Sequence, residues 1–353
     1  MTRTGRAVVM VGERFEIREY PVPAPAPGTV LLRQELAGIC GTDVHNWKHQ
    51  RLTGEIVLGH ENVGIVEALG EGVSADYFGG ALAPGDRVVF APGTPDGAYG
   101  FQQAEEQPPF RGGFGDYIYL WHPETCVIKT GLPAEVAVLT EPFSVGVHGV
   151  ARSGLLFGDT VVIQGTGAIG LMTLVAARAR GAGRIIVVGG PAGRLELARQ
   201  LGADYGIDIT EVTDPAERTR LVLAETMNGE GADIVFECAG VLSAITEGLG
   251  YLRRSGTFVE MGHFVDVGAL ELNPNQLLMR KNLRLEAVWG TGGMDNFTRA
   301  QRVLERLDLP LAMLTTPVPL ERVDDAFAAL NGSYRLDGRD IVKLALHGAL
   351  TSA

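Results

Sequence analysis

Residues 160–190, TVVIQGTGAIGLMTLVAARARGAGRIIVVGG, leave this chain little choice of fold. A β-branched apolar run, a glycine turn, an alanine-rich helix pattern and a second apolar run follow one another. The pattern goes on through GRLELARQLGA, ADIVFECAG and TFVEMG. Repeated strand–helix units predict a parallel sheet with helices on both faces, because parallel strands need a crossover that a helix provides. At the first turn, Gly165-Thr166-Gly167-Ala168-Ile169-Gly170 has GxGxxG spacing between strand and helix. Gly165 allows the tight turn, Gly167 a close approach of backbone to pyrophosphate, and Gly170 the packing of helix on strand; Ala168 and Ile169 open the helix whose N–H groups face the anion. In this context the motif predicts a dinucleotide site. The turn Ala239-Gly240, after the strand DIVFEC, is expected to face the same ligand, with the Cys238 thiol packed.

The second strand of such a unit ordinarily ends in an acid that holds the ribose hydroxyls. Here it ends in Gly189-Gly190-Pro191. Removing that carboxylate removes the main repulsion against a 2′-phosphate, with Arg194, and less so Arg184, as a cationic partner. This tilts the expectation toward NADP; the alternative is NAD, with Arg194 merely covering the helix LELARQLG.

The first 150 residues read differently, as short strands broken by Gly and Pro (TVLLRQELAGI, VGIVEALG, GDRVVF, GDYIYL). A chain of 353 residues suggests two domains. We expect a β-rich domain of residues 1–150 joined by 290–353, and a dinucleotide-binding domain of 151–289. No run approaches the roughly 20 apolar residues of a membrane span. The formal charge of −12 disfavours nucleic acid and anionic lipid. Three widely spaced cysteines argue for reduced thiols, and MTRTGRAVVMVGERFEIREY shows no export core, so a cytoplasmic location is expected.

The β-rich half holds the reactive residues. GICGTDVH (38–45) gathers Cys40, Thr42, Asp43 and His45; His60 and Glu61 follow in GHE, and Glu141 in LTEPFSVGVHG. Thiolate, imidazole and carboxylate are the ligand types of a tetrahedral zinc with one exchangeable position. Singly, each has a plainer reading: a core cysteine, a capping His-Glu pair, a helix start at Glu141-Pro142. Together with GHENVG (59–64), Gly85-Asp86-Arg87-Val88 and EPFSVGVH (141–148), they make the chain similar to the zinc-dependent medium-chain dehydrogenases, in the polyol branch that includes sorbitol dehydrogenases, over nearly its whole length.

That resemblance implies an α/β protein with a GroES-like β-rich catalytic domain and a doubly wound Rossmann domain, the C-terminal segment returning to the former. It implies one catalytic zinc on Cys40, His60 and either Glu61 or Glu141, with Asp43 orienting a ligand imidazole. Thr42 and His45 resemble the family's proton relay, in which the alcohol proton passes by the hydroxyl and the cofactor ribose to the imidazole. The implied reaction moves a hydride between a secondary alcohol or polyol and a nicotinamide cofactor. A threonine- or amino-alcohol-type dehydrogenase is the alternative, and a non-catalytic nucleotide-binding protein the rival of another class. Residues 91–112 hold no cysteine, which excludes the four-cysteine structural zinc of many relatives. The run TFVEMGHFVDVGALEL is a candidate edge strand for a homodimer or homotetramer, although a strand buried within one chain would look the same.

Overall fold

The computed structural model describes residues 3–348. The chain forms two compact units. The first takes residues up to Glu141, Leu304–Leu307 and the chain from Leu311 on; the second takes Pro142–Val303 and Asp308–Pro310. The changeovers differ from the sequence boundaries at 150/151 and 289/290 for a packing reason. The helix Thr140–Ser153 is continuous, and at Gly146 it comes so near the Met172 backbone that a Cβ would stand 2.9 Å from it. From Pro142 on, this helix therefore packs with the second unit. The helix Met294–Leu304 buries Phe297, Ala300 and Leu304 and lies largely in that unit too.

In the first unit, two mostly antiparallel sheets share an apolar cluster, with Ala7, Val9 and Val57 of one against Leu31, Tyr117 and Tyr119 of the other. The strand Val30–Gly38 lies inside the larger sheet, between Glu61–Leu69 and the C-terminal strand Lys343–His347. Gly38 pairs with Glu61 on one side and Ala345 on the other. This register brings three distant segments of sequence to one point. The helix Gly41–His49 starts directly beyond that strand. Its residue Trp47 packs on Phe15 and Phe327, beside a core that includes Val8, Met10, Phe114 and Leu344.

The second unit is the parallel sheet expected from the repeats. Its strands lie in the order Tyr205–Asp208, Arg184–Gly189, Thr160–Gln164, Ala232–Glu237, Leu252–Glu260, Arg284–Ala287. The order reverses direction between Thr160–Gln164 and Ala232–Glu237, the switch point where such sheets open a crevice at their carboxyl ends. Val161, Val162 and Ile163 are fully buried, as continuous apolar strands of a two-face-covered sheet require. TFVEMG is not the edge: Leu252–Glu260 has a strand on either side, and Arg284–Ala287 is the outer one. No helix among the described residues is long and apolar enough to cross a membrane.

Candidate active site

Cys40 caps the helix Gly41–His49 in an extended conformation (ψ 155°), and the Asp43 carboxylate accepts the Cys40 backbone N–H at 2.9 Å. This capping interaction fixes the Cys40 backbone and sets its sulfur at the helix start. Thr42 Oγ1 is 3.6 Å from the Cys40 Sγ. His60 follows Gly59, whose φ of +102° and tight approach to the Phe114 ring exclude a side chain there. The imidazole is buried and stacked on Phe101, with Nδ1 3.6 Å from Asp43 Oδ1; among the described residues neither atom has a hydrogen-bond partner. Cys40, His60 and Glu61 each offer a ligand atom, all within 4.8 Å of one another.

Glu61 is 1% exposed, and both its oxygens accept from Lys343 Nζ, at 2.7 and 2.6 Å. Lys343 also donates to the carbonyl of Ile39 at 3.1 Å. Gly38 is required beneath this pair, since any Cβ would strike the Glu61 carboxylate. Burial pulls the Lys343 ammonium down, but Glu61, then Cys40, outweigh it and hold it above its usual range. Burial likewise opposes a charged His60, and Asp43 and Cys40 overcome it, raising the imidazole well above its ordinary value. Glu141, in the first turn of its helix, is raised to about 7, chiefly by burial, with Glu61 adding to the shift and His60 and Lys343 opposing it. The pocket thus gathers a thiol, an imidazole and three carboxyl groups around one lysine, donor types that a dication would bind.

The sequence reading missed Lys343. Its signal was present: in DIVKLAL a lysine occupies a strand position among apolar residues, and a buried lysine demands a partner. His45 lies one turn beyond Thr42 on the same helix, its ring 4.4 Å from that of His49. Burial, then Arg51 and His49, lowers its proton affinity.

In the second unit, Gly165 has φ +99° and backs onto the turn after Ala232–Glu237, a Cβ there standing 3.0 Å from Ala239 N. Gly167 caps the helix Ala168–Arg180 without a side-chain bond, and a Cβ at Gly167 would meet nothing within 4 Å. Uncommitted amide groups beside open space are what an anion needs. Gly170 is so close to the Gly165 carbonyl that no side chain fits. A Cβ at Gly189 would stand 2.6 Å from Thr166 Cγ2, so packing against the turn excludes the acid usually found there. Asp208, across the register from Gly189, is engaged by the backbone N–H and hydroxyl of Thr210. Arg194 is 8% exposed, and Arg184 is ion-paired to Glu225 from the opposite end of its strand. The Cys238 thiol, 3.8 Å from Thr173 Oγ1, is held neutral by burial, and burial pushes Cys126 up to about 12.

The cysteine-free segment 91–112 is held by side chains instead. Tyr99 is fully buried and reaches Thr125 Oγ1 at 2.6 Å, while Arg111 pairs with Glu106 and lies over Trp121.

These features, thiol and imidazole beside a carboxylate in a β-rich unit and a glycine turn in a parallel α/β unit, coincide with two family models. Residues 26–133 match the alcohol dehydrogenase GroES-like domain and residues 168–307 the zinc-binding dehydrogenase domain. The chain belongs to the zinc-dependent medium-chain alcohol dehydrogenases, in their sorbitol/polyol-like branch, and is an oxidoreductase acting on alcohols. It is 35% identical to the sorbitol dehydrogenase of Gallus gallus over 282 residues, covering 74% of this chain and 77% of that protein. It is also 35% identical to the 5-exo-hydroxycamphor dehydrogenase of Pseudomonas putida over 298 residues, 78% of this chain and 81% of the relative. An alcohol dehydrogenase structure from Thermotoga maritima superimposes with a TM-score of 0.89 at 27% identity, over 98% of this chain and 100% of the other.

Proposed function

We propose that this enzyme interconverts a secondary alcohol or polyol and its ketone, with one catalytic zinc held by Cys40, His60 and Glu61 or Glu141. The observation that carries this reading is the cluster of three ligand atoms within 4.8 Å, beside a buried His60–Asp43 pair whose facing atoms lack hydrogen bonds. Unsatisfied buried polar atoms mark a missing partner, and this donor set suits zinc. Zinc bound there supplies Lewis acidity, which makes an alcohol proton easier to lose.

The chain's own residues do the rest. Asp43 steadies Cys40 through its backbone and faces the His60 ring, fixing both ligands. Lys343 holds Glu61 and balances its charge. Thr42 Oγ1 accepts the substrate hydroxyl proton as it gives up its own, and the proton released passes toward His45, one turn further on, whose imidazole has a lowered proton affinity that favours release to water. The turn Gly165–Gly170 binds the nucleotide pyrophosphate, with Ala168 and Ile169 at the helix start, and Gly189, Arg194, Ala239 and Gly240 border the rest of the nucleotide.

The hydride carrier is NADP or NAD. The bare Gly189 and an Asp208 already engaged by Thr210 favour NADPH binding at least as tight as NADH. The domains are assigned accordingly, with the β-rich unit catalytic and the parallel-sheet unit nucleotide-binding. The free cysteines fit a reducing cytoplasm. The outer strand Arg284–Ala287, with Leu285 exposed and Trp289 75% exposed just beyond it, supports a homodimer or homotetramer. The test is a screen of polyols, cyclitols, amino alcohols including threonine, and simple secondary alcohols with both nucleotides. Turnover of polyols or secondary alcohols is expected. Turnover of amino alcohols alone would overturn the substrate class, and none with any class would overturn the catalytic reading.

A further inference from the structure

One cluster of titratable side chains, built on the buried Glu237, has no part in this chemistry. Glu237 ends the strand Ala232–Glu237 and is 0% exposed; its Oε1 accepts the N–H groups of Ala239 at 2.7 Å and Gly240 at 2.9 Å. Glu260 ends the neighbouring strand, and its Oε1 accepts those of Gly262 at 3.0 Å and His263 at 3.1 Å. Each carboxylate holds the turn that follows its own strand. The two turns touch, with Gly240 at φ +69° and so near the Gly262 carbonyl that a Cβ would stand 2.7 Å from its oxygen. The first of them backs onto Gly165 of the dinucleotide turn.

His263 joins the two carboxylates. Its Nδ1 is 3.0 Å from Glu260 Oε1 and 3.4 Å from Glu237 Oε2. Among the described residues no lysine or arginine pairs with either carboxylate. The titratable groups facing Glu237 are Glu260, His263 and the neutral Cys238 thiol; the helix Ala168–Arg180 brings only the Thr173 hydroxyl, against that thiol. Glu237 is fully buried and the Glu260 side chain is 27% exposed, with ligand atoms of the two and of His263 within 4.8 Å of one another; a buried carboxylate this close to a second one is disfavoured in its charged form unless a proton or a cation lies between them. Burial, then Glu260, raises the Glu237 carboxyl to about 7, against the pull of the two amides and His263.

We propose that Glu237, Glu260 and His263 form a proton-bridged clamp that sets the turn Cys238–Gly240 against the dinucleotide turn, making nucleotide affinity dependent on pH. This rests on reading the second unit as the nucleotide site. The three are positioning residues. With the proton in place, imidazole and carboxyl groups draw the two turns together. When the cluster loses it, the buried Glu237 carboxylate repels that of Glu260, the turns part, and the nucleotide binds less tightly.

The experiment is a fluorescence titration of the full-length zinc-loaded enzyme with NADH, which has no group titrating between pH 6 and 9, and with NADPH. Wild type should lose about fivefold or more in NADH affinity over that range, within the span of ordinary coupling between sites. Glu237→Gln keeps the acceptor oxygen and carries a permanent N–H donor, so its profile should be flat, with affinity near the wild-type value at pH 6. His263→Ala leaves the carboxylates unbridged and should weaken binding at pH 8 by about tenfold, with recovery at pH 6. Glu260→Gln, which also keeps its acceptor, should flatten the profile as Glu237→Gln does. Variants that keep the wild-type profile, or lose affinity equally at every pH, would overturn the clamp. So would a second zinc equivalent that disappears in His263→Ala, since a metal would then be the bridge. Wild type that binds neither nucleotide at any pH would instead overturn the nucleotide reading, and the clamp with it.

Discussion

Two clusters in this molecule combine carboxylates with an imidazole, and they are wired differently. Around Cys40, the ligand atoms are turned away from the backbone: Glu61 is held only through a lysine ammonium, and His60 Nδ1 faces Asp43 without a bond. Around Glu237, each carboxylate spends one oxygen on two amides of its own turn and keeps the other without a hydrogen bond, and among the described residues no ammonium pairs with either. The first group holds its polar atoms in reserve for a visitor. The second spends one oxygen of each carboxylate on its own backbone. Residue types alone do not separate a metal centre from an internal brace; the destination of each oxygen does.

The largest effects should come from the first group. Cys40→Ser should remove the metal and lower turnover by about a thousandfold, since Lewis-acid stabilisation supplies several kcal/mol; metal content and kcat of the same sample check it. Lys343→Met leaves Glu61 buried without its cation and should cost about 3 kcal/mol of stability in denaturant melts, with Lys343→Arg losing less. A neutral effect of Lys343→Met would show that Glu61 needs no ammonium. Asp43→Asn keeps the shape but weakens the hold on His60, and should lower zinc affinity by about tenfold or more in a chelator competition.

The second group should give the smallest effect, with a pH signature of its own. Glu237 titrates near 7 in the folded protein against an ordinary 4.5, so the folded state binds the extra proton. Its contribution to stability is therefore fully present below about 4.5, declines as pH rises, and is gone above about 7. Melts of wild type against Glu237→Gln across this window should converge or cross by on the order of 1 kcal/mol. Parallel curves would show that Glu237 carries no proton there.

The same contrast explains how far the sequence could be read. The parallel sheet was legible because TVVIQ, RIIVV and DIVFE are apolar throughout and each is tied to a glycine turn or a helix pattern. The gathering of Cys40, His60 and Glu61, with Asp43 beside them, was legible because they sit in short, spaced motifs. Lys343 was not, because its partner is 282 residues away and only the pairing of three strands brings them together. Glu260 and His263 were hidden for a related reason: in TFVEMGHF they resemble an edge strand, and only the neighbour Arg284–Ala287 shows that the strand is interior. The changeovers near 141 and 303 escaped because a continuous helix carries no composition shift where its packing partner changes.

The most direct test of the account is the zinc content of the purified enzyme, measured by elemental analysis together with turnover before and after chelation. The account predicts roughly one zinc per chain, as a single catalytic site without a cysteine-ligated structural site requires. Activity should fall with the metal and return with it, and Cys40→Ser should hold none. A metal-free protein that turns over alcohol at the full rate would contradict it.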